Sequence, residues 1–304
     1  MSLPKVEVVL EGCCPSLGEG PHWDTASQTL MYVDICSGGI HCYDPHTKQE
    51  SKMTLDGTVG FVIPCETGGY VVGLNRTLSH LDWNTKEVTP LLEVDDGTKN
   101  RFNDAKCDAL GRLWAGTMGY ETVPGIIDRA DGFLYSFSAD RSHTASKQLQ
   151  DLYISNGMDW TDDYKTMYFI DSIPRKVFAF DFNLDKGKIE NQRTVVEFEK
   201  DTDETYGVPD GMCIDNEGKI WVACYGGSRI HRFDPETGKT LQTLKFPCRN
   251  ITSCCFGGKN LDELYVTSSQ YNLKPEHGPQ PLAGSLFKVT GLGVKGHPAN
   301  NYKV

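Results

Sequence analysis

One pattern recurs six times along the chain and leaves few folds open. Its clearest copy is "PDGMCIDNEGKIWVA" (209–223): a carboxylate in a Pro/Gly turn, a short mixed run, a second turn at Asp215 to Gly218, then an apolar strand. "NDAKCDALGRLWAG" (103–116) has the same shape, and Asn103 precedes Gly111 by the eight residues that separate Asp210 from Gly218. "NGMDWTDDYKTMYFI" (156–170) and "EGPHWDTASQTLMYV" (19–33) are further copies; "GFVIPCETGGYVV" (60–72) and "SCCFGGKNLDELYV" (253–266) are weaker ones. Between them lies a second unit, apolar residues alternating around a polar turn: "HCYDPHTKQ" (41–49), "HLDWNTKEV" (80–88), "AFDFNLDKGK" (179–188) and "HRFDPETGKT" (231–240). "GFLYSFSAD" (132–140) and "GSLFKVTG" (284–291) occupy the same slot. Alternation around Asp, Pro, Asn and Gly signals paired strands and tight turns.

The copies start near residues 19, 60, 103, 156, 210 and 253, at spacings of 41 to 54 residues. Amphipathic helical stretches are scarce. Four short strands per unit, six times over, predict an all-β fold: a six-bladed β-propeller with four-stranded antiparallel blades, one domain over residues 1–304. A solenoid needs shorter periods, and an unrepeated sandwich does not explain the recurring motif.

Charge narrows the partners. The formal net charge is −11, without a basic run. That argues against nucleic acid and anionic membrane surfaces, and fits small or cationic partners. No stretch approaches the roughly 18 apolar residues of a membrane-spanning helix. Met1 to Leu10 lacks the pattern of a secretory signal, so a cytoplasmic location is expected. The eleven cysteines include no C-x-x-C pair; Cys13 with Cys14 and Cys254 with Cys255 are adjacent. Neither arrangement suits a disulfide framework or a zinc site, and reduced, mostly buried thiols are expected. The sequons at Asn75 and Asn250 read as chance matches.

In a propeller the innermost strand of each blade lines a central channel, so the residues heading the copies converge: Glu19, Gly60 or Phe61, Asn103, Asn156, Asp210 and Ser253. Asp, Asn and Gly are also ordinary turn formers. A ring bearing two carboxylates and two amides is a stronger signal, because a buried carboxylate pair without a partner is expensive. One divalent metal ion in the channel would neutralise it. Oxygen donors suit Ca2+, Mg2+ or Mn2+, and Zn2+ also accepts carboxylates. Familiar nucleophile signatures are absent: there is no G-x-S-x-G elbow and no H-E-x-x-H. His22 follows Glu19 in its motif and reads as a core or supporting residue.

"LGEGPHWD", "NRFNDAKCD", "ISNGMDW", "VPDGMCID", "GKIWVACYGG" and "SCCFGGKN…LYVTS" resemble the gluconolactonase, or regucalcin, family, in order and over nearly the whole chain; "GLGVKG" (291–296) resembles its animal members. The resemblance implies a six-bladed propeller with one divalent metal in its channel that hydrolyses sugar lactones. By motif it makes Glu19, Asn156 and Asp210 the metal ligands and Asp210 also the catalytic base. It gives substrate binding to Arg101 and Asn103 of "NRFND" and to Glu121 on a neighbouring lid loop. It implies a small-molecule lactone as partner, and a monomer or weak dimer. Tyr120, where an acidic or small residue often stands, and the longer "EKDTDETYGVPDG" before Asp210 depart from the family pattern near the mouth. Two rivals share the frame. One is a calcium-binding regulator without turnover. The other is a hydrolase of another ester-like substrate, an organophosphate hydrolase or a luciferin-regenerating type.

Overall fold

Each of the six sequence copies opens an innermost strand: Gly18–Asp24, Val59–Pro64, Arg101–Cys107, Ser155–Trp160, Val208–Ile214 and Asn250–Gly257. A computed structural model describes residues 3–140, 142–198 and 206–303. Each inner strand heads a sheet of four strands paired in succession outward, giving six four-stranded antiparallel sheets around one channel, here numbered blades 1 to 6 in the order above. The polar hairpins form the outer half of the blades, as in blade 1, where Gly39–Asp44 pairs with Gln49–Thr54 around the turn. The predicted six-bladed propeller is therefore the fold. The stretch "EKDTDET" is residues 199–205 and lies outside the described residues.

The repeat also explains how a blade is pinned. In blades 3 and 5 the second turn carries an Asp, a Gly three residues on and a Trp three beyond that: Asp108, Gly111, Trp114 and Asp215, Gly218, Trp221. Gly111 and Gly218 have φ of +74° and +71°, a conformation other residues enter at a cost. The turn folds back so that Trp114 Nε1 donates to Asp108 Oδ2 (3.0 Å) and Trp221 Nε1 donates to Asp215 Oδ2 (2.9 Å). Both indoles are fully buried between blades. An interior Trp normally needs a partner for its N–H, and the turn carboxylate supplies it.

Blade 6 is built from both ends of the chain. Asn250–Gly257, Glu263–Ser269 and Leu286–Thr290 are its first three strands, and Lys5–Leu10 is the fourth. "GSLFKVTG" does occupy the hairpin slot, but its partner strand comes from the other end of the sequence. Ring closure by this pairing leaves no long open sheet edge between first and last blade.

The C-terminal segment crosses the end of the channel where the inner strands finish. The amide N–H of Lys303 donates to Gly111 O (3.0 Å), that of Tyr302 to Pro64 O (2.9 Å), and that of Asn216 to Lys295 O (2.8 Å). Tyr302 is fully buried. Beneath this cover, Lys106 Nζ meets Asp159 Oδ2 at 2.5 Å beside a cavity of about 70 Å³ that His297 and Asn300 help to line. The far end of the channel is therefore plugged, and the opposite end carries the predicted site residues.

Candidate active site in the channel

Every inner strand slips register near its start: between Glu19 and His22, Val59 and Val62, Phe102 and Ala105, Ser155 and Met158, Pro209 and Met212, and Ile251 and Ser253. Such bulges leave a residue unpaired and re-aim its side chain. In blades 3, 4 and 5 the first unpaired residue is Asn103, Asn156 or Asp210. In blade 2 it is Gly60. Two blades differ from the alignment of copies. In blade 6 the extra residue is Thr252, not Ser253, and in blade 1 it is Gly20, so Glu19 stands one position earlier than its counterparts. Gly20 has φ +53°, and its N–H donates to Glu19 Oε2 at 2.9 Å. This left-handed kink turns the longer Glu side chain back into the ring.

Glu19, Arg101, Asn103, Glu121, Asn156 and Asp210 all line one cavity of about 240 Å³ at the unplugged end. Apolar walls from Met118, Ile154, Ile173 and Val208 surround this polar set. The cavity is at the small end of ligand pockets and suits a single ring with its substituents. Glu19, Asn103, Asn156 and Asp210 are all buried.

The polar groups hold one another. Asn156 Nδ2 donates to Asp210 Oδ1 at 2.5 Å and to Ser172 Oγ at 3.0 Å, while its Oδ1 accepts from Gly157 N–H at 3.1 Å. Arg101 Nη1 donates to Asn103 Oδ1 at 2.8 Å and Asn103 Nδ2 donates to Ser155 O at 3.0 Å, so this amide is committed on both sides and fixes the guanidinium. Glu121 accepts a short hydrogen bond from the Tyr271 hydroxyl. Tyr271 follows the second strand of blade 6, and Glu121 follows that of blade 3, three blades away. This contact carries the blade 3 loop across the mouth as a strap. Tyr120 is more than half exposed on this strap, beneath the Lys99 ammonium at 4.9 Å, and does not line the cavity.

Burial pushes the Glu19 carboxyl well above its ordinary range, and the charges of Asp210 and Asp104 push it the same way. Burial raises Asp210 too; the hydrogen bond from Asn156 and the charge of Arg101 oppose this, and Asp104 adds to it. Asp104, deeper in the channel, is pushed up to about 6 by burial. Three carboxylates thus crowd a desolvated space in which Arg101 is the cation nearest the mouth.

These residues fit a divalent cation. Among the described residues no three His, Cys, Asp or Glu side chains cluster as a metal cage. The donors are instead the Glu19 and Asp210 carboxylates with the amide oxygen of Asn156, an all-oxygen set. The unfavourable burial of two coupled carboxylates is what such an ion would relieve. To present oxygen, Asn156 would have to turn its amide over, giving up both its bond to Asp210 and the one it accepts from Gly157 N–H. Ser172 Oγ can then donate where it now accepts.

Ser172, Tyr225 and Tyr271 were not singled out by the sequence. They sit at or after the ends of second strands, where the repeat carries no polar signature. Tyr225, at the end of "IWVACY", donates its hydroxyl to Tyr271 O at 2.7 Å and closes one side of the cavity.

Known proteins resemble this chain in sequence and fold. Residues 17–270 match the family model described as "SMP-30/Gluconolactonase/LRE-like region". The regucalcin of Homo sapiens is 46% identical over 304 residues, 99% of each chain; that of Danio rerio is 43% identical over 303 residues, also 99% of each. A luciferin-regenerating enzyme superposes with a TM-score of 0.90 at 36% identity, covering 99% of this chain and 100% of that one. A regucalcin from Agrobacterium tumefaciens, described as a calcium-binding protein, superposes with a TM-score of 0.88 at 24% identity over 98% of this chain and 97% of its own; at that identity the likeness concerns the fold.

Proposed function

Because the chain belongs to the SMP-30/gluconolactonase/LRE-like family, we propose that it is a divalent-metal-dependent hydrolase that opens sugar lactones. The observation that carries this reading is the buried pair Glu19 and Asp210 with Asn156 on the floor of a small, one-ended cavity, Arg101 beside them.

A lactone is a cyclic ester, and its hydrolysis needs a polarised carbonyl and an activated water. A divalent ion held by Glu19, Asn156 and Asp210 would supply Lewis acidity and make a water more acidic. Asp210 takes the proton from the attacking water as its oxygen bonds to the carbonyl carbon. The same proton then passes to the ring oxygen as the ester C–O bond breaks, leaving the open hydroxy acid. A carboxylate with an ordinary pKa is a weak base at neutral pH, so the ion would have to acidify the water that Asp210 deprotonates. Arg101, braced through Asn103, holds hydroxyl oxygens of the sugar or the carboxylate of the product. The strap pinned by Glu121 and Tyr271 limits water around the reacting ester.

A second reading, a calcium-binding regulator without turnover, draws on the all-oxygen donor set and on the relatives' names. One assay separates the two. Glucono-1,5-lactone hydrolysis is followed by acid release with metal-stripped protein and after adding Ca2+, Zn2+, Mn2+ or Mg2+ separately. The proposal expects turnover restored by at least one ion and lost in Glu19→Gln. Tight Ca2+ binding without turnover of any lactone would favour the regulator.

A further inference from the structure

Beside the catalytic cavity lies a second hollow of about 430 Å³, and the two share Val208, Tyr225 and Asn272 in their walls. It opens on the side of the strap nearest blades 5 and 6. Among the described residues its charged lining is basic: Arg249 and Lys274, with Arg175, which is engaged elsewhere, and His277 alongside. Among the described residues no Asp or Glu lines it.

The base of the hollow is built from secondary structure. Arg249 immediately precedes the inner strand of blade 6, and its main-chain N–H donates to Gln280 Oε1 at 2.9 Å. Asn250 Nδ2 donates to Tyr271 O at 2.9 Å, and the Tyr225 hydroxyl donates to the same carbonyl, so the wall between the two hollows is fixed. His277 Nδ1 accepts the N–H of Lys274 at 3.1 Å, which shapes the turn that carries the ammonium. Arg and Lys converging on a concave surface recognise oxyanions, Arg through paired N–H donors and Lys as a point charge. A cleft of one sign also focuses the field and raises the local concentration of a counter-charged ligand.

We propose that this hollow is an anion subsite of the same active site, and that the preferred substrates are lactones carrying an oxyanion, a phosphate monoester or a carboxylate, on the chain remote from the ester. The ring sits over Glu19 and Asp210 while the anionic substituent passes Tyr225 to reach Arg249 and Lys274. The charge separation is useful: the cations hold the substituent at one end, and the buried carboxylates at the other are kept from repelling it at close range.

This inference rests on the lactonase reading, and the experiment distinguishes the two. Rates are measured for glucono-1,5-lactone, its 6-phosphate and the corresponding carboxylate, glucarolactone, with wild-type protein, Arg249→Gln and Lys274→Gln. Calorimetry measures binding of gluconate and 6-phosphogluconate to the same three proteins. A charged hydrogen-bonding contact of this kind is worth about tenfold or more. The expected result is kcat/KM higher by about that factor for an anionic lactone, an advantage that shrinks as salt is raised. Both variants should lose it and keep the neutral-lactone rate. Whichever anionic lactone gains more identifies the substituent. Equal kcat/KM for neutral and anionic lactones, or equal losses for both in the variants, overturns the subsite. If no lactone is turned over, the hydrolase reading falls on its own. Tighter binding of 6-phosphogluconate than of gluconate, lost in Lys274→Gln, would then still uphold the subsite, and equal binding would overturn it. Lys274 is exposed, so its variant remains informative if Arg249→Gln folds poorly.

Discussion

Asp210 and Asp215 are five residues apart in one turn-rich stretch, and their surroundings differ sharply. Asp215 is completely buried; its carboxylate accepts from Trp221 Nε1, from Arg232 Nε at 2.7 Å, and from the N–H groups of Glu217 and Lys219. Among the described residues Asp210 has one side-chain hydrogen-bond partner, Asn156, and it faces the cavity. Asp215→Asn should therefore lower stability, since a hydrogen bond to a charged group contributes about 1.5–3 kcal/mol, while kcat in the folded protein stays near wild type. Asp210→Asn should do the reverse: removal of a general base lowers kcat by about 10²–10⁴-fold, with little loss of melting temperature. Thermal melts and lactone kinetics on both variants check this, and similar mild effects at the two positions would make Asp210 a structural residue. Asp210, Asn103 and Asn156 were legible in the sequence because a repeat makes an odd residue stand out against its copies. Glu19 was found too, though its offset was not, because Gly20's left-handed φ leaves no trace in spacing. Ser172, Tyr225 and Tyr271 stayed hidden, since their placement depends on strand ends meeting in space.

The inner strand is the element on which the site depends, and its bulge is what the sequence concealed. Strand, turn and strand were readable from alternation and from glycines at fixed offsets; a single unpaired residue leaves no such signal. The bulge residue Gly157 lies against the next blade: a Cβ there would stand 2.5 Å from Met212 N and 2.8 Å from the Gly211 carbonyl carbon, both backbone atoms with little room to give. Gly157→Ala should thus wedge blades 4 and 5 apart beside the contact between Asn156 and Asp210. The expected cost is about 1–3 kcal/mol in stability, as for other overpacked sites. Catalysis should fall as well, because a small displacement of reacting groups is expensive. Denaturant melts with lactone kinetics test this; unchanged values would mean that the blades can slide to admit a methyl group.

For the molecule as a whole, the ring closes through one pair of strands, Lys5–Leu10 on Leu286–Thr290. The six repeats announced the number of blades, yet nothing in the copies said that the last blade borrows its outer strand from the opposite end of the sequence. Removing residues 1–10 should leave Leu286–Thr290 as a bare sheet edge with its apolar face partly uncovered. Lower solubility and a broader, earlier unfolding transition are expected, measured by light scattering and thermal melts; a truncated chain as soluble and cooperative as the full one would show that closure is dispensable. The same pairing sets a schedule for synthesis. Residues 5–10 leave the ribosome about 280 residues ahead of their partner strand. At ordinary translation rates that delay is on the order of 15–60 s. For that interval every nascent chain carries an unmatched strand, so the order in which the blades are written sets how long that strand waits for its partner.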